Sequence, residues 1–255
     1  MSRNDARRGP GVFSPSNPIK RIYGLLMKRS GAQGWWPVYS GRGSCPEYRR
    51  GFYGPHTGEE IFEICVGAIL TQNTAWTSAL AALACLNKAG ALGPGAIALM
   101  RPARLERLIR PSGFYRRKAG RLKIFSRYLI KKHPEGLQKW FLRTSAGDLR
   151  SELLTLEGIG PETADSMVLY AGGKPKFVID AYTARIFGRL GLVTGKYEEI
   201  QYAFESALPA DHRIYNEYHA LIVAHGKDFC RKTRPRCAGC PLNRLCKCTR
   251  GTYDN

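Results

Sequence analysis

The stretch Leu153–Asp180, LLTLEGIGPETADSMVLYAGGKPKFVID, decides how this chain is read. An apolar helix ending near Leu156 runs into the turn Gly158-Ile159-Gly160, and Pro161 then opens a second helix at the first position, where a missing N–H costs nothing. The product is a helix, a tight hairpin and a helix. Two glycines let the backbone pass close to a partner and aim successive N–H groups outward, while the second helix starts there with the positive end of its dipole. Such a turn suits a phosphate. About twenty residues later Asp180 follows the apolar run Phe177-Val178-Ile179, just before a new helical pattern. A carboxylate in that position either caps the helix starting at Ala181 or does chemistry.

The composition narrows the partner. With 255 residues, 44% of them hydrophobic, the chain can bury a sizeable core or form two lobes. No apolar run approaches the ~20 residues that span a bilayer, so no membrane partner is expected. The formal charge of +20, from 40 basic against 20 acidic residues, points to a polyanion. That charge is spread along the chain rather than gathered on one amphipathic helix, which favours nucleic acid over a membrane surface. Residues 1–17 are polar and basic, carry prolines and show no helical period; they read as a flexible tail rather than a transit peptide.

Outward from the hairpin, the remaining pattern is helical. Ile22 to Met27 belongs to a helix ending near Gly31. In GWWPVY, adjacent Trp35 and Trp36 cannot share a helical face, so one of them lines a pocket or both anchor a loop. From Glu59, Ile61, Ile64, Cys65, Ala68 and Ile69 fall on one face of a buried helix that ends at Thr71-Gln72-Asn73-Thr74; Thr74 is placed to cap the next helix, Ala75 to Lys88. Gln72 and Asn73 lie at that turn, where their amides reach base edges or satisfy helix ends. Leu92 to Gly95 reads as a break. A helix from Phe114 to about Lys132 turns Leu122, Phe125 and Leu129 inward, with Arg116, Arg117, Lys118, Arg121, Lys123, Arg127 and Lys131 around it, a basic face suited to phosphates. Helices are also expected over Leu137 to Leu142, Ala146 to Leu156, Pro161 to Ala171, Ala181 to Leu190, Lys196 to Leu208 and Ile214 to Ala224. No stretch alternates with period two for long enough to demand a sheet, so the fold class is all-α.

Four of the eight cysteines form Cys-x6-Cys-x2-Cys-x5-Cys at Cys230, Cys237, Cys240 and Cys246, with Cys248 just beyond. Four thiolates so close suit a metal better than disulfides, either tetrahedral zinc or a four-iron cluster. Arg231, Lys232, Arg234, Arg236 and Arg244 between them make a basic loop. Cys248 has no assigned role.

Together LEGIGPETA, Val178-Ile179-Asp180, ILTQNT at 69–74 and the cysteine spacing resemble the endonuclease III branch of the helix-hairpin-helix DNA glycosylases, over roughly residues 20–250. The resemblance implies two helical lobes around a DNA-binding cleft: a helical barrel over 59–172, holding the helix-hairpin-helix at about 146–171, and a second lobe from 18–58 plus 173–250 with an iron-sulfur loop at 230–246. It implies a [4Fe-4S] cluster on Cys230, Cys237, Cys240 and Cys246, a flipped base, DNA contacts from Gln72, Asn73, Gly158, Ile159 and Gly160, and Asp180 as the catalytic carboxylate. Members that also cut the backbone carry a lysine two residues after the hairpin's last glycine. Here that residue is Glu162, which forms no imine.

A monofunctional glycosylase of base excision repair is therefore expected, a monomer acting on damaged double-stranded DNA in the cytoplasm, at the nucleoid. Trp35, Trp36 and Trp76 resemble the aromatic features of the 3-methyladenine-type members, where electron-rich rings stack on a cationic base. An alkylated purine is the preferred substrate. An oxidised pyrimidine or a mismatched uracil or thymine is the alternative within the enzymes, and a non-catalytic DNA-binding protein the alternative outside them.

Overall fold

The computed structural model describes residues 17–39, 45–54 and 56–249. The expected flexible tail lies outside these residues except for Asn17, whose side chain caps the first helix by accepting from the Ile19 amide at 2.9 Å. The helices are α1 (Pro18–Ser30), α2 (Gly58–Leu70), α3 (Trp76–Lys88), α4 (Pro94–Leu99), α5 (Pro102–Leu108), α6 (Tyr115–Lys132), α7 (Leu137–Arg143), α8 (Ala146–Leu154), α9 (Pro161–Ser166), α10 (Ala181–Leu190), α11 (Tyr197–Ala207) and α12 (His212–Asp228). Among the described residues no strand forms, and extended pairing is confined to a bridge between Val38 and Glu47. The described residues bear out the all-α reading.

Two compact units divide the chain: one takes residues up to Gln33 together with those from Phe177 onward, the other is Gly34–Lys176. This corrects the expected boundary, which put residues 34–58 in the first of these. Ring packing of Trp35 and Tyr48 and of Trp36 with Trp76 and Tyr170, and the Tyr39 amide bound by Glu63, tie the segment to the second unit instead.

In the Gly34–Lys176 unit α2 is central. A reciprocal capping box starts it, Glu60 N–H on the Thr57 hydroxyl at 3.2 Å and Thr57 N–H on the Glu60 carboxylate at 2.8 Å. Every residue from Ile61 to Leu70 is buried, because α3, α6, α7 and α9 surround it. The basic face expected on α6 is smaller than the sequence suggests: Lys118 and Lys123 turn inward. Lys118 is 1% exposed, and its Nζ donates to the carbonyls of Leu70 at 2.6 Å and Ser112 at 2.7 Å and to the Thr74 hydroxyl at 2.8 Å. Lys123 donates to the Ile97, Ala98 and Met100 carbonyls at the end of α4. Each lysine thus neutralises the orphan carbonyls of one helix C-terminus, where a cation is favoured. Thr74 does not cap α3 as expected: its hydroxyl donates to the Ser112 carbonyl at 2.6 Å, and Ala75 occupies the cap position without a side-chain bond. The expected break at 92–95 is shorter, since Pro94 starts α4. α9 passes at Met167 into a wider turn, Met167–Ala171, closed by the Gly172 amide on the Met167 carbonyl at 3.0 Å.

In the other unit α12 packs against α1 and α10. It is longer than its apolar period shows, because Asp211 caps it through the Arg213 amide at 2.8 Å. Buried Tyr218 donates to the Ile19 carbonyl at 2.7 Å, joining α12 to α1. Phe177 stacks on Phe204 of α11 at 4.3 Å, and Gln201 donates to the Phe177 carbonyl at 2.6 Å, fixing the segment that leads into Asp180.

Burial lowers the Lys118 pKa to about 8, with Arg121 adding to it, yet all three of its donors are satisfied. Lys118→Met takes the donor from the Leu70 carbonyl and the Thr74 hydroxyl and leaves the Ser112 carbonyl to the Thr74 hydroxyl alone. It should cost about 3 kcal/mol in chemical denaturation. A change within about 0.5 kcal/mol, the range of an ordinary surface substitution, would show that the ammonium is not a structural tie.

Candidate active site and cysteine centre

The hairpin forms where the sequence places it. α8 ends at Leu154, and Gly158 takes φ +82°, a conformation costly for any residue with a Cβ. A Cβ there would also lie 2.2 Å from Arg121 Nε, because the Arg121 side chain crosses the turn. Gly160 is the exposed residue before α9, with Pro161 in its first turn. Ile159 departs from the expectation of successive outward amides. Its side chain is 6% exposed, and its N–H closes on the Leu156 carbonyl at 3.0 Å. It anchors the turn; the outward face belongs to the glycines.

Gln72 is drawn into the same structure. Its amide donates to the Gly158 carbonyl and to the Thr163 hydroxyl, both at 2.9 Å, and accepts from Arg121 Nη1. Gln72 therefore braces the hairpin from the end of α2. Asn73 beside it is exposed, with φ +51°. The brace joins two of the five residues expected at DNA, Gln72 and Gly158. Arg121 was legible only as one charge on a basic face.

Asp180 caps α10 and does so with one oxygen. Oδ1 accepts from the Thr183 amide at 2.7 Å and the Thr183 hydroxyl at 2.9 Å, while Oδ2 stands 3.6 Å from His219 Nε2 on α12. Burial pushes the carboxyl pKa up, but His219 and the Thr183 donors outweigh it and hold the group below its ordinary value. The ionised cap therefore stabilises α10 at neutral pH, and that contribution is lost only as pH falls through the depressed value. Lys227, lower on α12, also feels this carboxylate: burial lowers its pKa and Asp180 opposes the fall. His219 lies about forty residues from Asp180 in sequence and gave no signal there.

The three tryptophans converge. Trp35 and Trp76 have centroids 4.8 Å apart, Trp36 and Trp76 5.2 Å, and Trp35 and Trp36 5.5 Å. Tyr170 packs on Trp36 at 5.3 Å, and the Tyr48 hydroxyl accepts from Trp76 Nε1 at 2.9 Å; neither tyrosine was anticipated. Gly67 makes room for the nest, since a Cβ there would be 2.9 Å from Trp36 Cζ2. One turn earlier on α2, buried Glu63 holds the Tyr39 amide at 3.0 and 3.2 Å, and burial raises its pKa to about 7. Of the Trp35-Trp36 pair, Trp36 is buried and Trp35 is partly exposed.

Cys230, Cys237, Cys240 and Cys246 line one cavity, and none is in a disulfide. Among the described residues no group of three or more His, Cys, Asp or Glu side chains is set to hold a metal ion as the chain stands. The donor set nonetheless fits one. Burial and the neighbouring cysteines push up the Cys237 and Cys240 thiols, so holding all four as thiolates requires positive charge among them. Polar groups also stand against the sulfurs: Arg189 Nη1 donates to Cys230 Sγ at 3.4 Å, and His225 Nε2 lies 3.6 Å from Cys240 Sγ. Arg231, Lys232, Arg234, Arg236 and Arg244 are all exposed on this loop.

An all-helical fold whose hairpin is followed by a helix-capping aspartate is that of the helix-hairpin-helix base excision proteins. The chain belongs to that family: the model of the HhH-GPD superfamily of base excision DNA repair proteins matches residues 66–210. It is 40% identical over 232 residues to a provisionally named DNA repair glycosylase of Methanocaldococcus jannaschii, covering 89% of this chain and 95% of the relative. It is 32% identical over 159 residues to endonuclease III of Thermotoga maritima, 60% of this chain and 68% of the relative. Among solved structures it is similar to the Helicobacter pylori 3-methyladenine DNA glycosylase MagIII bound to 1,N6-ethenoadenine, with a TM-score of 0.64 and 27% identity over 82% of this chain and 95% of that one. Among the described residues no helix is long and apolar enough to cross a membrane.

If His219 holds Asp180 ionised, His219→Gln should move the carboxyl titration to higher pH, read by NMR on protein with 13C-labelled aspartate. A carboxyl titrating unchanged in the variant would remove His219 from this role.

Proposed function

We propose that this protein is a monofunctional DNA glycosylase that binds double-stranded DNA as a monomer and hydrolyses the bond between C1′ and a flipped, alkylated purine such as 3-methyladenine. The observation that carries the reading is the convergence of Trp35, Trp36 and Trp76. Electron-rich rings 4.8 to 5.5 Å apart offer a cationic base stacking and cation–π attraction that a neutral base lacks. A cationic purine is also a good leaving group, and a site for it needs little acid catalysis.

Asp180 then acts by charge. Its depressed pKa makes it a weak base but keeps it anionic, suited to stabilising positive charge at C1′ as the bond to nitrogen breaks and both electrons leave with the base. Water adds to C1′ and releases its proton to solvent, and the purine departs neutral. Glu162, exposed in the first turn of α9, stands where lyase-proficient members carry lysine, so strand cleavage by imine formation is not part of the reaction. The basic cysteine loop and the braced hairpin supply phosphate contacts. Cys230, Cys237, Cys240 and Cys246 hold a [4Fe-4S] cluster, which supplies the charge that keeps the thiolates together and the loop in shape. The likeness to endonuclease III favours a second reading, an oxidised pyrimidine as substrate.

Duplexes carrying single lesions test both readings: a methylated purine, an oxidised pyrimidine, and mismatched uracil or thymine, each read directly and after alkali. Release of the methylated purine with breaks only after alkali is expected. Preferential release of the pyrimidine would install the second reading, and tight binding with no release would make the protein a non-catalytic binder. Asp180→Asn keeps an acceptor for the Thr183 amide but removes the charge, and should lower excision ~100-fold or more with DNA binding retained; undiminished excision would end the catalytic assignment.

A further inference from the structure

Residues 33–39 carry two of the three nest tryptophans yet belong to no helix, so their course is fixed by separate contacts along the backbone. Gln33, the last residue of its unit, gives its N–H to Glu217 of α12 at 2.5 Å, a carboxylate only 1% exposed. Gly34 opens the other unit with φ +68° and no room for a Cβ, which would lie 2.8 to 3.0 Å from the backbone of Tyr48, Arg49 and Arg50. The Val38 carbonyl then accepts from the Glu47 amide at 2.8 Å. Last in the run, the Tyr39 N–H is shared by both oxygens of Glu63, itself 5% exposed. The N–H groups that bracket Trp35 and Trp36 in the chain thus each go to a buried carboxylate.

A buried carboxylate is a costly way to satisfy one amide, so the position of Glu63 calls for a cause. It stands four residues before Gly67, on the same stripe of α2, and the Trp36 ring lies against Gly67. The side chain of Glu63 therefore sets how far the segment stands off α2 at the place where Trp36 packs. Its charge faces a local pair, Arg49 and Glu60 at 2.5 Å, which line the same cavity. What it gives the nest is reach. Attraction between a cation and an aromatic face is significant only within about 6 Å of the ring centroid, so small displacements of the rings change it. We infer, resting on the alkylated-purine reading, that Glu63 is a positioning residue for base selection: the length of its arm, more than its charge, holds Trp35 and Trp36 where they favour a cationic purine over its neutral counterpart. Glu63 itself touches no part of the base.

Two probes with the glycosidic position blocked by a methyl group, cationic 3,9-dimethyladeninium and neutral 9-methyladenine, would be titrated into the full-length wild type, Glu63→Gln, Glu63→Asp and Glu63→Leu. Trp35 and Trp76 are partly exposed, and quenching of their fluorescence reads the dissociation constant. A partly unfolded sample loses signal amplitude but keeps that constant, so simple destabilisation does not imitate the effect. Wild type should bind the cation at least about tenfold more tightly than the neutral probe. Glu63→Gln keeps an acceptor at full reach and should stay within about threefold of wild type, whereas Glu63→Asp, one carbon shorter, and Glu63→Leu, with no acceptor, should lose most of the preference. The indole circular dichroism should follow the same order. Cation binding unchanged in Glu63→Asp or Glu63→Leu overturns the positioning role, and a Glu63→Gln chain as weak as Glu63→Asp overturns the primacy of reach over charge. A wild type that prefers neither probe overturns the substrate reading instead; indole circular dichroism unchanged in Glu63→Asp would then overturn the arm as well.

Discussion

One buried ammonium, Lys118, sets the geometry on which the Gly34–Lys176 unit depends. It grips the chain on both sides of the turn after α2, at the Leu70 carbonyl and at the Thr74 hydroxyl, and ties that turn to Ser112. Two residues expected at the site leave from this turn. Gln72 within it reaches the hairpin, and Trp76 just after it enters the aromatic nest. A charge is costly to bury, and here three oriented acceptors, one of them the Leu70 carbonyl at the negative end of α2, offset the loss of water.

α2 itself works as a ruler for the nest. Glu63, Gly67 and Leu70 fall at intervals of three or four residues on adjoining turns, and they hold in order the Tyr39 amide, the Trp36 ring and the Lys118 ammonium. A helix buried on all sides can do this because its neighbours leave it no freedom to rotate. Asp180 is held by a different logic, with one oxygen committed to the helix end and the other directed at α12. Cap and catalyst, which sequence poses as alternatives, are compatible roles of a single carboxylate.

Much of this was legible in the residues. The Gly158-Ile159-Gly160 turn with Pro161, the cap at Asp180, the gathering of the cysteines and the helical periods all arise from local chemistry. Long-range polar contacts were not legible. Lys118 and Lys123 look like surface charges on α6 because a lysine stem is compatible with either side of a helix, and only the carbonyls opposite decide. Gln72 had two plausible uses, and neither foretold its bond to Gly158, 86 residues away. Residues 34–58 carry no regular period, so their allegiance to one unit was set by ring packing at Trp35, Trp36 and Tyr48 that no periodicity encodes.

The wide turn Met167–Ala171 gives the substrate reading a dependence on chain length as well as residue type. Each residue inserted into or removed from a helix rotates every later position by about 100°. The i→i−5 closure at Gly172 absorbs one extra residue between the hairpin and the nest and leaves Tyr170 against Trp36. Deleting one residue from this turn would swing Tyr170 off Trp36 and reshape the aromatic nest with every side chain kept.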